Sequence, residues 1–191
     1  MGQLIIEQII SVDGYAADEH GGIDFFADAS CLTEADEDQL GQLRDVAAIV
    51  LGRVTFGMFA GYWPDADPAI EPIAPVLNSL PKYMVSNTLE SAPWGGDGTQ
   101  TGILRGDGVD AVRALRSTVE GDVIVWGSLT LTDALLRAGE VDVLRLRIVP
   151  VLIGRGRRFA PADIATTPLQ LFSAQTYTGG LVVLEYDCGT V

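Results

Sequence analysis

The stretch DVIVWGSLTLTDALLRAG, residues 122–139, predicts a strand, a tight turn and a helix in immediate succession. Val123 to Trp126 is a short apolar run rich in β-branched residues, which is typical of a buried strand. After Gly127 and Ser128, apolar residues recur at helical spacing as far as Gly139, and glycine is typical of helix C-caps.

The turn at Gly127-Ser128 is a candidate anion site. A helix that begins there directs unpaired backbone N–H groups, and the positive end of its dipole, at the turn. Gly127 leaves space for a ligand, and the hydroxyls of Ser128, Thr130 and Thr132 can add donors. A phosphate or pyrophosphate would suit these groups. The plainer interpretation is that Gly127 only makes a tight turn, and one such turn does not separate the two.

Composition indicates one packed domain over residues 1–191. The chain is 48% hydrophobic and 20% charged, and its length is enough to bury a full core. Its longest apolar runs are shorter than the roughly 20 residues of a membrane span. The N-terminus carries no basic region typical of a signal peptide, so we expect a cytoplasmic protein without a membrane partner. Cys31 and Cys188 match no metal-ligand spacing and are expected to be reduced.

The formal net charge of −14 opposes non-specific nucleic-acid binding. An anionic ligand would therefore need a local positive site. Basic residues are few, because the sequence has one lysine, Lys82, and eleven arginines. Several of these arginines lie in the loop Gly154–Arg158. We expect this loop to contact an anionic substrate group or a partner subunit, and a solvated loop is the alternative.

The order of predicted elements indicates an α/β fold. The elements are β 4–12, α 33–44 with Thr33 as its N-cap, β 46–51, β 82–86, β 102–104, α 109–118, β 123–126, α 131–138, β 141–149, β 169–177 and β 181–186. Crossover helices imply a central, mostly parallel sheet with helices on both faces, and the terminal hairpin adds antiparallel strands at one edge. Residues 61–80 are expected to form a proline-rich loop with at most a short helix.

Three predicted strand ends carry small or basic residues. They are Gly52-Arg53, Ser86-Asn87 and Gly127-Ser128. In open α/β sheets, ligands bind outside the carboxyl ends of the strands. Arg53 and Thr55 stand where phosphates bind at a helix start. The three ends together therefore predict a dinucleotide phosphate site.

The chain resembles the dihydrofolate reductase-like superfamily. Within it, the chain is most similar to the C-terminal reductase domain of the bifunctional riboflavin-biosynthesis deaminase-reductase and its stand-alone relatives. The motifs that carry the resemblance run in order along nearly the whole chain: SVDGYAA (11–17), GIDF (22–25), LGRVTF (51–56), KYMVSNTL (82–89), WGSL (126–129) and VPVLIGRG (149–156).

The resemblance implies an NADPH-dependent reductase of a pyrimidine- or pteridine-like heterocycle. The most similar named activity is 5-amino-6-(5-phosphoribosylamino)uracil reductase. A dihydrofolate reductase is the nearest enzyme alternative, and a non-catalytic nucleotide-binding protein on the same fold is the alternative of another class. A homodimer is also expected, because the terminal hairpin leaves an apolar edge strand and similar proteins pair in this region.

The resemblance also assigns expected roles to individual residues. Gly52, Arg53 and Thr55 would meet the cofactor phosphates, and Ser86 and Asn87 the adenosine 2′-phosphate. The pyrophosphate would lie in the turn formed by Trp126, Gly127, Ser128, Leu129, Thr130 and Leu131, and the nicotinamide near Ala16 and Ala17.

Two further features come from the resemblance. Asp36 lies close to the position of the acidic residue that hydrogen-bonds the pterin in dihydrofolate reductases, so Asp36 is the candidate catalytic residue.

The chain also departs from the family in two places. Ser128 stands where a second glycine is frequent, and Asn87 stands where an arginine often follows the serine, which removes one charge for the 2′-phosphate.

Overall fold

The computed structural model describes residues 2–27, 31–96 and 99–189. The strands are β1 (Leu4–Ser11), β2 (Tyr15–Ala17), β3 (Val46–Gly52), β4 (Lys82–Val85), β5 (Gly102–Leu104), β6 (Asp122–Trp126), β7 (Val143–Val149), β8 (Arg157–Arg158), β9 (Gln170–Thr176) and β10 (Val182–Asp187). The helices are α1 (Asp24–Ala27), α2 (Cys31–Gln42), α3 (Arg53–Ala60), α4 (Ala74–Ser79), α5 (Gly108–Arg116) and α6 (Leu129–Ala138). A single 3₁₀ turn, Trp63–Asp65, precedes α4.

Eight of these strands form one sheet in the order β5-β4-β3-β6-β1-β7-β10-β9. The pairs from β5 across to β7 are parallel, and β10 pairs antiparallel with both β7 and β9. The central strands are nearly continuous apolar runs because both of their faces are covered, as in other parallel sheets. The predicted mostly parallel sheet with an antiparallel C-terminal hairpin is therefore confirmed.

Helices cover both faces of this sheet, as predicted. On one face, α5 and α6 bury Val112, Leu115 and Leu135 against the strands. On the other face, α3 and α4 bury Phe56 and Leu77. Each face of the sheet therefore has its own apolar core.

Two local predictions, for Thr33 and for the loop Gly154–Arg158, differ from the structure, and the one for residues 61–80 agrees with it. Thr33 does not cap α2, because the helix already begins at Cys31 and includes Thr33. The proline-rich segment 61–80 contains the 3₁₀ turn and α4, in line with the expected short helix. The loop Gly154–Arg158 contains β8, which pairs with β2 in a separate two-stranded sheet. These strands have two and three residues, too few for an alternating pattern to reveal them.

Strand β9 forms one edge of the large sheet and is mostly exposed. Leu169, Leu171 and Phe172 are 41%, 49% and 57% exposed, so the predicted apolar edge is present. Exposed apolar edges are normally covered by another chain or segment. The homodimer stays a prediction, which light scattering at micromolar concentration would test.

Candidate functional site

Two of the three predicted strand ends are joined by direct hydrogen bonds. Strands β4, β3 and β6 are neighbours, so their carboxyl ends meet at one edge of the sheet. The backbone N–H of Gly52 donates to Ser128 Oγ at 2.7 Å, and the N–H of Ser128 donates to Thr55 Oγ1 at 2.8 Å. The two turns, distant in sequence, therefore form a single structural unit.

The N-termini of α3 and α6 both open onto this unit. Within the described chain, neither helix has a side-chain cap at its N-terminus, whereas Asp107 caps α5 by accepting from two backbone N–H groups. In α6 the first intrahelical bond runs from Thr132 N to Ser128 O at 2.9 Å. The N–H groups of Leu129, Thr130 and Leu131 are the unsatisfied donors of a helix start, and they favour an anion.

The Gly127-Ser128 turn has a left-handed backbone at both positions, with φ of +54° at each residue. A side chain at such a φ is strained, and Ser128 tolerates it because its own groups are held. Ser128 Oγ donates to Trp126 O at 2.8 Å in addition to accepting from Gly52. The helix starts at this point because these bonds fix the turn.

Two of the hydroxyls predicted to bind an anion are instead used by the protein. Ser128 Oγ is engaged as described, and Thr132 Oγ1 donates to Gly127 O at 2.9 Å. Thr132 is fully buried, whereas Thr130 is exposed at the start of α6. Closing the turn therefore engages both hydroxyls within the protein, and the binding of a cofactor by this turn stays a prediction.

Gly127 has a packing role in addition to the expected one of leaving space for a ligand. An added Cβ would lie 3.1 Å from both Thr55 Cγ2 and Thr55 Oγ1. The space that glycine keeps open therefore belongs to the neighbouring Thr55 side chain, which in turn accepts from Ser128 N. A larger residue would disturb the junction itself rather than simply occupy a ligand's volume.

Gln8 contacts the turn of the candidate site, which the sequence analysis did not predict. It lies on β1 with 3% of its surface exposed, and its Nε2 donates to Gly127 O and, at 3.3 Å, to Thr132 Oγ1. Strand β1 is thus hydrogen-bonded to the Gly127-Ser128 turn through Gln8. A polar residue inside the otherwise apolar run of β1 was the available signal.

The residues of the junction fit the phosphates of a dinucleotide. The start of α6 offers free backbone N–H groups, and the Thr55 hydroxyl retains a proton to donate because its oxygen accepts from Ser128. Arg53 is exposed at the first position of α3. The side chains of Trp126 and Leu131 are buried, so these two residues can serve such a ligand mainly through their backbone.

The Ser86-Asn87 turn follows β4 directly and is internally bonded. Ser86 Oγ accepts from the N–H groups of Thr88 and Leu89 at 3.3 and 3.2 Å. Asn87 exchanges two hydrogen bonds with the backbone of Gly106, which lies beyond β5. Because β4 is paired with β3, this turn lies beside Arg53 along the same edge.

The arginines of the segment 154–158 have partners within the chain. Arg155 lies 3.0 Å from Glu19, Arg157 bonds to Asp133 of α6, and the Arg158 guanidinium stacks 4.7 Å from the centre of the Tyr15 ring. Their pairing inside the chain fastens β2 and β8 to α6, and Ala16 and Ala17 on β2 are buried. The expected contact of this loop with an anionic substrate group or a partner subunit stays a prediction.

A buried charged cluster lies on the α2 side of β1, β7 and β10. Arg145 donates through Nη1 to Glu7 Oε2 at 2.9 Å and through Nε to Glu185 Oε1 at 2.7 Å. These three residues are 9% exposed or less and face one another in the sheet register. Gln39 of α2 donates to Glu7 Oε1 at 2.7 Å, which ties the helix to the cluster.

Asp36, the candidate catalytic residue, belongs to the outer part of this cluster. It is 7% exposed, and Arg147 Nη2 lies 3.4 Å from its Oδ1. Burial raises the pKa of Asp36 to about 6, against the lowering effect of the Arg147 charge, and the nearby Glu71 and Glu7 charges raise it further. A carboxyl group of this kind can exchange a proton near neutral pH.

Neither a membrane-spanning helix nor a metal-binding group is found in the described residues. Within 2–27, 31–96 and 99–189, no helix has the length and apolar character needed to cross a membrane. In the same part of the chain, His, Cys, Asp and Glu side chains form no group of three or more that could hold a metal ion.

The sheet order and the two uncapped helix starts define an α/β protein whose candidate site lies at the carboxyl ends of neighbouring parallel strands. Residues 3–183 match the model of the RibD C-terminal domain family. The chain therefore belongs to the RibD C-terminal domain family, as the sequence motifs predicted.

Relatives of known structure share the fold. The chain is similar to a Thermotoga maritima diaminohydroxyphosphoribosylaminopyrimidine deaminase/5-amino-6-(5-phosphoribosylamino)uracil reductase, with a TM-score of 0.69, 12% identity, and coverage of 98% of this chain and 57% of that one. It is also similar to the Enterococcus faecalis dihydrofolate reductase complexed with NADP(H), with a TM-score of 0.65, 13% identity, and coverage of 99% and 98%. The fold is therefore dihydrofolate reductase-like.

A relative of closely matching length exists in Bacillus subtilis (strain 168). This protein, YyaP, is 23% identical over 186 residues, which is 96% of this chain and 94% of YyaP. The chain thus spans nearly the whole length of YyaP but little more than half of the bifunctional Thermotoga protein.

Proposed function

We propose that the protein is an NADPH-dependent reductase of a pyrimidine- or pteridine-like heterocycle, most similar to 5-amino-6-(5-phosphoribosylamino)uracil reductase. Membership of a reductase family supports an oxidoreductase. The observation that carries the cofactor assignment is the meeting of two uncapped helix N-termini at adjacent strand ends, beside Arg53. The cofactor would supply the hydride, and the chain would supply binding, orientation and a proton.

The proposed contacts combine the geometry of the junction with the residue roles that the resemblance implies. The N–H groups of Leu129, Thr130 and Leu131 would bind the pyrophosphate, and Arg53 and Thr55 would bind the phosphates from the neighbouring strand end, next to Gly52. Ser86 and Asn87 would lie at the adenosine 2′-phosphate. Ala16 and Ala17 would lie at the nicotinamide, on the opposite side of the pyrophosphate along the sheet edge.

Cofactor titration tests the proposal, with Arg53→Ala as the diagnostic variant. Charge-assisted hydrogen bonds contribute roughly 1.5–3 kcal/mol, so we expect Arg53→Ala to weaken NADPH by about tenfold to a hundredfold. Calorimetry on the wild type and the variant measures this directly. Arg44→Ala, an exposed arginine at the opposite edge of the sheet, serves as the control and should bind normally.

Three outcomes separate the alternatives. If the wild type binds neither NADPH nor NADH, the reductase proposal is wrong. If the wild type binds NADPH but none of the heterocyclic substrates causes NADPH to be oxidised, the non-catalytic nucleotide-binding protein becomes the better account. Turnover with dihydrofolate would favour the dihydrofolate reductase alternative, which the position of buried Asp36 on α2 supports.

Asp36 should make the reaction dependent on pH. If Asp36 delivers the proton that accompanies hydride transfer, the rate should fall as pH rises through about 6, where this carboxyl loses its proton. Asp36→Asn should lower the rate by about 10²–10⁴ and remove that pH dependence. Single-turnover NADPH oxidation at pH 5–8 measures both effects.

Asp38→Asn is the matched control, since Asp38 lies on the same helix but is exposed and accepts from the Tyr177 hydroxyl at 2.8 Å. An unchanged pH profile in Asp36→Asn would exclude Asp36 as the proton donor.

The raised pKa of Asp36 also affects the stability of the protein. The folded protein holds this proton more tightly than the unfolded chain, so the Asp36 contribution to stability declines as pH rises from about 4 to about 6.

A further inference from the structure

An ion pair connects the small β2–β8 sheet to helix α6. Arg157, the first residue of β8, donates through Nη2 to Oδ2 of Asp133, the fifth residue of α6. The two residues are 24 positions apart in the sequence. Helix α6 packs on the large sheet, whereas β8 pairs with β2. The ion pair is therefore a tertiary connection between a helix and a separate two-stranded sheet.

Asp133 depends on this arginine for its neutralisation. The residue is 6% exposed, and its other carboxylate oxygen, Oδ1, is buried without a hydrogen-bond partner in the described chain. Arg137, one turn further along the helix, is bonded instead to Asp163, at 2.6 and 3.2 Å. A buried carboxylate that loses its bonded cation carries a large desolvation penalty, so this contact opposes any separation of β8 from α6.

The backbone of the same arginine is joined to β2. Arg157 is the register partner of Ala17. The two strands approach closely at Gly156, where an added Cβ would lie 2.1 Å from Ala17 O. On β2, Ala16 belongs to the apolar cluster that also contains Leu131 of α6. One residue therefore connects β8 to β2 through its backbone and to α6 through its side chain.

The proposed function assigns these two elements to different parts of one ligand. The nicotinamide would lie at Ala16 and Ala17 on β2, and the diphosphate would lie at the start of α6. Covalent bonds limit how far apart the two parts of one dinucleotide can be. Both protein elements must therefore be correctly spaced before a complete dinucleotide can bind to them together.

We propose that Arg157 and Asp133 form a positioning pair, which holds β2 at the distance from α6 that a complete dinucleotide requires. This proposal rests on the proposed function. The pair acts through Ala16 and Ala17 rather than by touching the cofactor. Without the pair, the start of α6 would still bind a phosphate, but binding the nicotinamide would also require β2 to be ordered, which lowers affinity.

Calorimetry with NADPH and with 2′,5′-ADP, a fragment without the nicotinamide, tests this role. The fragment reaches only the adenosine part of the site, whereas NADPH spans both elements. We expect Arg157→Met to weaken NADPH by about tenfold and to leave 2′,5′-ADP within about twofold. Asp133→Asn should have the same effect. Arg157→Lys should recover part of the lost affinity, because lysine keeps the charge that faces Asp133.

Hydrogen exchange gives a second measurement that needs no turnover. In the NADPH complex, the backbone amides of residues 14–18 should exchange faster in Arg157→Met than in the wild type, because β2 is held less firmly. If Arg157→Met does not fold, the double variant Asp133→Leu/Arg157→Met takes its place in both measurements, since it leaves no buried carboxylate without its cation.

Arg137→Met is the matched control. Arg137 lies on the same helix and bonds to an acid 26 residues away, but its side chain is 46% exposed and its partner, Asp163, lies beyond β8. This variant should change neither the affinity for the two ligands nor the exchange of residues 14–18.

Three results would overturn the assignment in distinguishable ways. Equal losses of NADPH and 2′,5′-ADP in Arg157→Met would mean that the pair only supports the fold of α6. Wild-type affinity for NADPH in both Arg157→Met and Asp133→Asn would show that the pair does not position β2. A wild type that binds neither NADPH nor 2′,5′-ADP would reject the proposed function and the positioning role with it.

Discussion

Gly127→Val is expected to abolish measurable NADPH binding and to lower stability. The backbone at this position has a φ of +54°, which a β-branched residue adopts only with strain of about 1–3 kcal/mol. The new side chain would also press on Thr55, whose Oγ1 lies 3.1 Å from the added Cβ and accepts from Ser128 N. Relieving that contact must shift the start of α6, and displacements of about 1 Å can cost a hundredfold in function.

Gly139→Val provides the matched control for this change. Gly139 closes the same helix with a φ of +67°, and an added Cβ there would meet no atom within 4 Å. Both variants should therefore lose stability in urea unfolding, whereas only Gly127→Val should lose NADPH in calorimetry. Wild-type affinity in Gly127→Val would show that the diphosphate is not bound at this turn.

Arg145→Met is expected to destabilise the protein by about 3–5 kcal/mol. The change leaves Glu7 and Glu185, both 9% exposed or less, without the guanidinium that neutralises them at 2.9 and 2.7 Å. Arg147 Nη1, 4.0 Å from Glu7 Oε1, is the guanidinium nitrogen that remains near this pair. Urea midpoints of the wild type and the variant measure the loss of stability.

Arg113→Met separates this effect from the general loss of an ion pair. Arg113 also contacts two carboxylates, at 2.6 Å each, but its side chain is 53% exposed. Exposed pairs contribute about 0–1 kcal/mol, so this variant should be nearly neutral. Replacing Glu7, Arg145 and Glu185 together by Leu, Met and Leu should restore most of the stability. A loss in Arg145→Met no larger than that in Arg113→Met would show that the cluster does not stabilise the fold.

Local sequence patterns determined the sheet and most of its elements. The apolar runs at 46–51 and 123–126 and the helical spacing after Ser128 identify their strands and helix, because strand and helix periods depend on neighbours in sequence. Motifs along the chain also identified the family, which the match over residues 3–183 confirms. Short strands such as β2 and β8 escaped prediction because three and two residues carry no period.

Tertiary structure alone decided which polar groups remain available for a ligand. Nothing in the sequence around Ser128 reveals that its hydroxyl is used by Gly52 and Trp126, since Gly52 is 76 residues away. The same holds for Arg145 and Arg147, whose alternation with apolar residues marks one face of a strand but not whether α2 covers that face. Periodicity reports the direction of a side chain along its own element, whereas burial, charge pairing and free hydrogen-bonding capacity depend on the elements packed against it.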